Sequence, residues 1–174
     1  MQHEQDLAQR RLVHFELGRC RLEMLDFKMK LFERSAGNLD AKLLQKMCYY
    51  CDSGIEDLKT YEETVMSRGQ DIGNLEKDKL VLLARGWFFT AKLYNKFFTP
   101  DRKEQMRYSK MAICYYTRVM DAAQRVEGGE GGVKDDEVSE LARQADILLL
   151  RFGQKSKTVS HTLIAGLAPR RAIC

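Results

Sequence analysis

Apolar residues recur every three to five positions along nearly the whole chain, and this spacing constrains the fold more than any other feature of the sequence. An α-helix brings residues three or four apart onto one face, whereas a strand alternates between faces at every residue. Strand alternation does not fit these runs. The sequence is therefore predicted to be all-α.

Interruptions in this spacing divide the chain into five predicted helices. They are expected at residues 3–34, 40–65, 80–98, 102–125 and 136–152. The first stretch is long for one globular helix, so a break or kink is expected at Asp26. Thr99 followed by Pro100 predicts a sharp stop, because the residue before a proline avoids helical dihedral angles. The third helix is the most densely apolar and is expected to be the most buried.

Two segments lack the helical pattern. Residues 127–135 contain four glycines within five positions, which predicts a flexible linker inside one domain that spans residues 1–152. Residues 153–174 hold four lysines and arginines and no acidic residue. This segment is expected to be a flexible basic tail.

A weak internal repeat indicates how the helices pair. The residues His14, Leu17, Gly18 and Arg21 have the same spacing as Trp87, Thr90, Ala91 and Tyr94. The small residue of each set follows the first large one by four positions, as in the first helix of a tetratricopeptide (TPR) repeat, where it lets the partner helix approach closely. The predicted fold is a TPR-like array of antiparallel helical hairpins.

Composition excludes several classes of protein. The 29 lysines and arginines exceed the 25 acidic residues by four, and all of that excess lies in the basic tail. A generally basic surface, as nucleic-acid binders have, is absent from the sequence. No apolar run approaches the roughly 20 residues of a membrane-spanning helix. We therefore expect neither nucleic-acid binding nor membrane insertion, and a cytoplasmic location, with association with the cytoskeleton as an open alternative.

No motif nominates a catalytic, cofactor-binding or metal-binding residue. Cys48 and Cys51 form the single CxxC, but they lie inside a predicted helix, where core packing is the simpler interpretation. The glycine-rich segment lacks the Lys-Ser/Thr pair of a phosphate-binding loop. Acidic pairs such as Glu62 and Glu63 are adjacent in sequence and so point to different faces of a helix. The chain is not expected to be an enzyme or to need a cofactor.

Six cations cluster around the turn between the third and fourth predicted helices. They are Lys92, Lys96, Arg102, Lys103, Arg107 and Lys110. A solvated face is one interpretation of this cluster, and a docking site for an acidic partner is the other. The neighbouring aromatic run from Trp87 to Phe98 is interpreted mainly as buried packing between hairpins, with a partner groove as the alternative.

Three stretches of the chain resemble a known family. The run AKLYNKFFTPDRKE at residues 91–104 looks like the C-terminal region of the kinesin-binding, TPR-like KIF-binding protein family. Residues 15–28 resemble the preceding long helix of that family, and residues 116–121 resemble the helix after the turn. No kinesin-contact residue is carried over from it.

The resemblance implies an all-α, non-enzymatic protein that binds kinesin motor domains and keeps them from engaging microtubules, with a role in organelle transport. Two other functions are left open. One is a TPR-like scaffold for a different partner, and the other is a helical bundle that binds a ligand or catalyses a reaction.

Overall fold

The computed structural model describes residues 2–34, 41–66, 75–96, 99, 101–128 and 136–165, with side chains from residue 3 as far as residue 152. These residues form five α-helices and no strand. The helices are α1 (Gln2–Arg34), α2 (Ala41–Val65), α3 (Lys77–Lys96), α4 (Arg102–Gly128) and α5 (Asp136–Ala165). The predicted all-α fold of about five helices is confirmed.

The first two helices form an antiparallel hairpin. Near the start of α1, the Arg11 guanidinium donates to the carbonyl of Thr64 near the end of α2, over 3.3 Å. Further along α1, Arg21 Nε lies 3.2 Å from a carboxylate oxygen of Asp57, which stands earlier in α2. Residues later in α1 therefore contact residues earlier in α2, so the two helices run in opposite directions.

The third and fourth helices repeat this arrangement. Tyr94 late in α3 contacts Tyr108 early in α4, with ring centroids 5.6 Å apart. Trp87 earlier in α3 lies under the guanidinium of Arg118 later in α4, 5.7 Å from its carbon. The hairpins are therefore both antiparallel, as the internal repeat predicts.

The odd-numbered helices run parallel to each other in one layer. Phe15 of α1 meets Phe89 of α3 edge to face at 5.5 Å between ring centroids, and α3 in turn contacts α5. The salt bridge between Arg85 and Glu137 joins the middle of α3 to the first turn of α5, and Asn95 near the end of α3 borders one pocket with Phe152 further along α5. Helices α2 and α4 form the second layer, and α2 contacts α1 and α3.

Three predicted boundaries differ from the structure. Helix α1 continues through Asp26, whose carboxylate forms a salt bridge with Lys96 of α3. Helix α4 continues through Gly128, the second residue of the predicted linker. Helix α5 continues past Gly153 to Ala165, so the predicted end at residue 152 is wrong. One glycine costs a helix only about 1 kcal/mol relative to alanine and does not by itself stop it.

The remaining boundary predictions fall mostly on undescribed positions. Residues 40, 97–98, 100, 129–135 and 166–174 lie outside the described residues. The restart of the chain at α4 is described: the Asp101 carboxylate accepts hydrogen bonds from the backbone N–H groups of Lys103 at 2.8 Å and Glu104 at 3.4 Å. Asp101 is therefore the N-cap of α4.

Helix α3 lies at the centre of the core, as its apolar density predicts. It contacts all four other helices. Its buried residues are Leu80, Leu83, Ala84, Gly86, Trp87, Phe88, Thr90, Ala91, Leu93 and Tyr94. The aromatic residues of this run that are described are buried or half-buried between hairpins, so packing is their main role.

Small residues allow the helices to cross closely. A methyl group built on Gly18 would lie 2.6 Å from Cγ of Leu58, which confirms the close approach that the repeat predicts there. The same construction on Gly86 brings the methyl group to 2.7 Å from Cε1 of Tyr61. Helix α2 therefore contacts α1 and α3 at glycines that have no room for a side chain.

We expect Gly86→Ala to destabilise the fold by about 1–3 kcal/mol, because the ring of Tyr61 cannot easily yield. That ring is held by the hydroxyl, which donates to the Leu82 carbonyl over 2.7 Å. Gly128→Ala is the matched control, since nothing lies within 4 Å of its added methyl group. Urea unfolding followed by circular dichroism measures both. Equal midpoints for the two variants would contradict the close contact.

The stability of the fold should fall in alkaline solution. Burial raises the pKa of Tyr61 and of Tyr115 from the ordinary 10.0 to about 12. Their contribution is therefore complete below pH 10 and is lost as the pH rises through 12, because the unfolded chain releases these protons first. Urea midpoints at pH 9 and pH 11 test this expectation. Tyr61→Phe should show a smaller decline than the native chain, and an equal decline would contradict it.

Candidate partner-binding surface

Two of the six predicted binding cations lie on the side of α3 that faces α1. Lys96 forms a salt bridge with Asp26 of α1. The ammonium group of Lys92 lies 5.1 Å and 5.7 Å from the ring centroids of Phe88 and Phe89. Burial lowers the pKa of both lysines. These two side chains are thus largely occupied by contacts within the chain.

The other four predicted cations lie on α4 and are exposed. Lys103, Arg107 and Lys110 are spaced four and three residues apart, which places them along one face of the helix. We call these three residues the α4 stripe. The Arg107 guanidinium carbon lies 5.3 Å from the ring centroid of Tyr108. Arg102 stands in the first turn of α4.

The structure therefore does not bring the six cations into one patch. On α3, Tyr94 faces α4, whereas Lys92 and Lys96 point to roughly the opposite side, at about 100° per residue along the helix. Arg107 lies on the same side as Tyr94, since both border one groove. The predicted cluster divides into a pair held against the α1–α3 contact and a set on α4.

An open groove of about 510 Å³ separates α2 from α4. We call it the α2–α4 groove. Its lining residues are Asp52, Ile55, Glu56 and Lys59 of α2, Tyr94 of α3, and Arg107, Tyr108 and Met111 of α4. Apolar and aromatic side chains are thus combined with charges of both signs, which is the composition of a groove that accepts a helix or a peptide.

The charges along this groove influence one another. Burial raises the pKa of Asp52 above its ordinary value, and the nearby carboxylate of Glu104 raises it further. The Arg107 guanidinium acts in the opposite direction. A partner's cation beside Asp52 would relieve the repulsion between the two carboxylates. The groove is therefore suited to a partner that carries both signs of charge.

Sequence reasoning missed the acidic side of this groove. It considered carboxylates that are adjacent along the chain, whereas Asp52 and Glu56 are four residues apart on one face of α2. That spacing, with Ile55 between them, was the available signal. Their juxtaposition with Arg107 depends on how α2 and α4 pack around α3, which the sequence pattern does not specify.

The CxxC pair contributes to packing, as predicted. The Cys51 side chain is fully buried, and its thiol donates to the Leu93 carbonyl over 3.4 Å. Cys48 is half-buried, and burial raises the pKa of both thiols. Within the described part of the chain, no group of three or more His, Cys, Asp or Glu side chains could hold a metal ion.

These observations define a class of protein. The chain is an all-α array of helical hairpins with a mixed-charge groove on one layer, and none of its described helices is long and apolar enough to cross a membrane. The family model described as KIF-1 binding protein C terminal matches residues 3–150. The chain belongs to this family, as its resemblance predicts. Neither the curated proteins nor the solved structures give a match.

We expect Cys51 to resist alkylation in the folded chain, because its thiol is buried and its pKa is raised. Cys114 is exposed and should react at the rate of a free thiol. Peptide mass mapping after a short iodoacetamide pulse distinguishes the two, and urea should abolish the difference. Rapid labelling of Cys51 in the native chain would contradict its place in the core.

Proposed function

We propose that this chain is a non-enzymatic protein-interaction module that binds kinesin motor domains and regulates their engagement with microtubules. The observation that carries the proposal is the family match, which covers residues 3–150 of the 174. A chain that binds kinesin would act in the cytoplasm, close to the cytoskeleton, and would have a role in cargo transport.

The composition of the α2–α4 groove supports a binding role over a catalytic one. A general base or a nucleophile has to stand within hydrogen-bond reach of a reacting atom. Histidine is the most frequent general base, and cysteine is a common nucleophile. The described lining of this groove contains neither histidine nor cysteine. Asp52, Glu56 and Lys59 lie on the α2 wall, and Arg107 lies on the α4 wall. Charges of both signs along the groove can align a charged partner.

The α4 stripe is the best-placed part of the predicted basic cluster for an acidic partner. Lys103 and Lys110 are exposed, and among the described residues neither has an ion-pair partner. Arg107 joins the stripe to the α2–α4 groove. Lys96, by contrast, would have to leave Asp26 before it could contact a partner. A motor domain that presents an acidic helix could therefore contact the stripe and the groove together.

The decisive experiment is microtubule co-sedimentation. A purified kinesin motor domain is held on microtubules with a non-hydrolysable nucleotide, and the folded chain is added in increasing amounts. We expect the motor to move from the pellet to the supernatant as the chain is added. A motor that stays in the pellet at saturating chain would contradict the regulation of microtubule engagement. Retention of the chain in that same pellet would then favour a scaffold that binds the motor without displacing it.

A charge-reversal variant tests the contact surface. Lys103→Glu with Lys110→Glu should weaken motor binding at least tenfold and reduce its salt dependence, because two favourable charges become repulsive. Arg125→Glu with Arg151→Glu makes the same change in net charge at exposed positions elsewhere. Fluorescence anisotropy at two salt concentrations compares the variants. Equal losses in both would assign the effect to net charge and contradict a role for the α4 stripe.

A further inference from the structure

A row of exposed apolar side chains follows the outer face of α1. It consists of Val13, Leu17, Cys20, Met24 and Phe27, and we call it the α1 seam. The exposed fractions are 55% for Val13, 40% for Leu17, 41% for Met24 and 53% for Phe27, and Cys20 is also exposed. No other described helix carries five exposed apolar or cysteine residues in one register.

The spacing of the seam is that of a coiled coil. Successive members are four, three, four and three residues apart, which is the heptad spacing that keeps one face of a helix against a partner helix. Helix α1 already uses another face for its own core, where Leu22 and Leu25 are buried. A helix that is apolar on two faces normally buries both.

The internal repeat shows what such a face does elsewhere in this chain. Val13, Leu17 and Cys20 occupy the positions equivalent to Gly86, Thr90 and Leu93 of α3. These three α3 residues are buried, and Gly86 and Leu93 are the ones that contact α2. The α1 seam is thus equivalent to the face of α3 that packs against α2, the helix before it, and the described residues provide no helix on the seam.

We propose that the α1 seam is a self-association surface, on which α1 of a second copy of this chain packs in parallel as a two-stranded coiled coil. In this arrangement each seam residue meets its own counterpart across a two-fold axis. Leu17 and Met24 take one of the two core positions of the heptad, and Val13, Cys20 and Phe27 take the other.

The charges beside the seam favour a second copy in this orientation. In a parallel pair, a residue just before one core position faces the residue five places later on the partner helix. Glu16 then faces Arg21 of the second copy, whose guanidinium also pairs with Asp57 of its own α2. Glu23 faces Lys28 of the second copy. By symmetry this gives four contacts between opposite charges. An antiparallel pair centred on Cys20 would instead bring Glu16 close to Glu23, which is repulsive.

These acidic side chains are available to a second copy at little cost. Glu16 and Glu23 each lie 3.7 Å from Arg19 within α1, in exposed pairs that contribute little to stability. The seam itself needs no folding step, because the contacts of α1 with α2 already hold it helical. Association therefore does not include the loss of conformational entropy that accompanies helix formation in short, isolated coiled coils.

Sedimentation equilibrium of the full chain tests the proposal directly. We expect a mass twice the monomer's 20.2 kDa at micromolar concentration. Met24→Glu should convert the dimer to a monomer, because it places one carboxylate from each copy in the apolar seam. The two carboxylates would lose their water and repel each other. Met106→Glu is the matched control, since Met106 is a 52% exposed methionine on α4. A monomeric native chain, or a dimer that persists in Met24→Glu, would overturn the proposal.

Cross-linking tests the orientation of the two helices. In a Cys20→Ser, Cys114→Ser, Cys174→Ser background, Leu17→Cys alone should form a disulfide-linked dimer when a mild oxidant removes two protons and two electrons from the paired thiols. Met24→Cys alone should do the same. An antiparallel pair would cross-link only when the two variants are mixed, and that result would overturn the parallel arrangement.

A charge exchange provides a second measure of orientation. Glu23→Lys should weaken the dimer about tenfold by placing like charges opposite Lys28. Adding Lys28→Glu to the same chain should restore the native dissociation constant, because each copy then presents the reversed pair. A failure of the second change to restore the dimer would overturn the charge pairing that selects the parallel form.

Discussion

The close approach of α2 to its two neighbours is the contact on which the rest of the structure depends. Leu58 of α2 lies against Gly18 of α1, and Tyr61 of α2 lies against Gly86 of α3. These contacts set the distance between the first hairpin and α3. Because α3 contacts every other helix, a change in that distance would also shift α4 and α5, since the interior is densely packed.

The same packing creates the surfaces that a partner can reach. Helices α1, α3 and α5 meet along one layer, while α2 and α4 stand apart on the other, with Tyr94 of α3 between them. The α2–α4 groove is the consequence. Its two carboxylates, Asp52 and Glu56, come from the first hairpin and Arg107 comes from the second, so its charge pattern depends on how the hairpins pack against each other.

Sequence reasoning succeeded where spacing alone decides the outcome. Five helices, the burial of the Trp87 region and the close approach at Gly18 all follow from residues three or four positions apart. It failed where a contact from another element decides. Asp26 could be taken for a helix end only because its partner Lys96 is 70 residues away in the chain. The end of α5 was misplaced because a single glycine was given more weight than its helix cost warrants.

The candidate surface was predictable only in part, for the same reason. The cations around the turn are visible in the sequence, but their division is not, because it depends on the side of α3 that each faces. Lys96 turns toward α1, and Arg107 turns toward α2. A count of charge along the chain cannot distinguish a lysine that holds two helices together from one that is free to meet a partner.

The two proposed surfaces occupy different parts of the array, and this separation gives them a joint consequence. The α1 seam lies on the edge helix, on roughly the opposite face from its contact with α3, while the α4 stripe lies on the second hairpin. A dimer formed through α1 would therefore leave both α4 stripes available. Two stripes on one rigid particle raise the effective concentration of the second site once the first is occupied. If each stripe binds a motor domain weakly, the dimer would bind two linked motor domains with a higher overall affinity than either stripe alone.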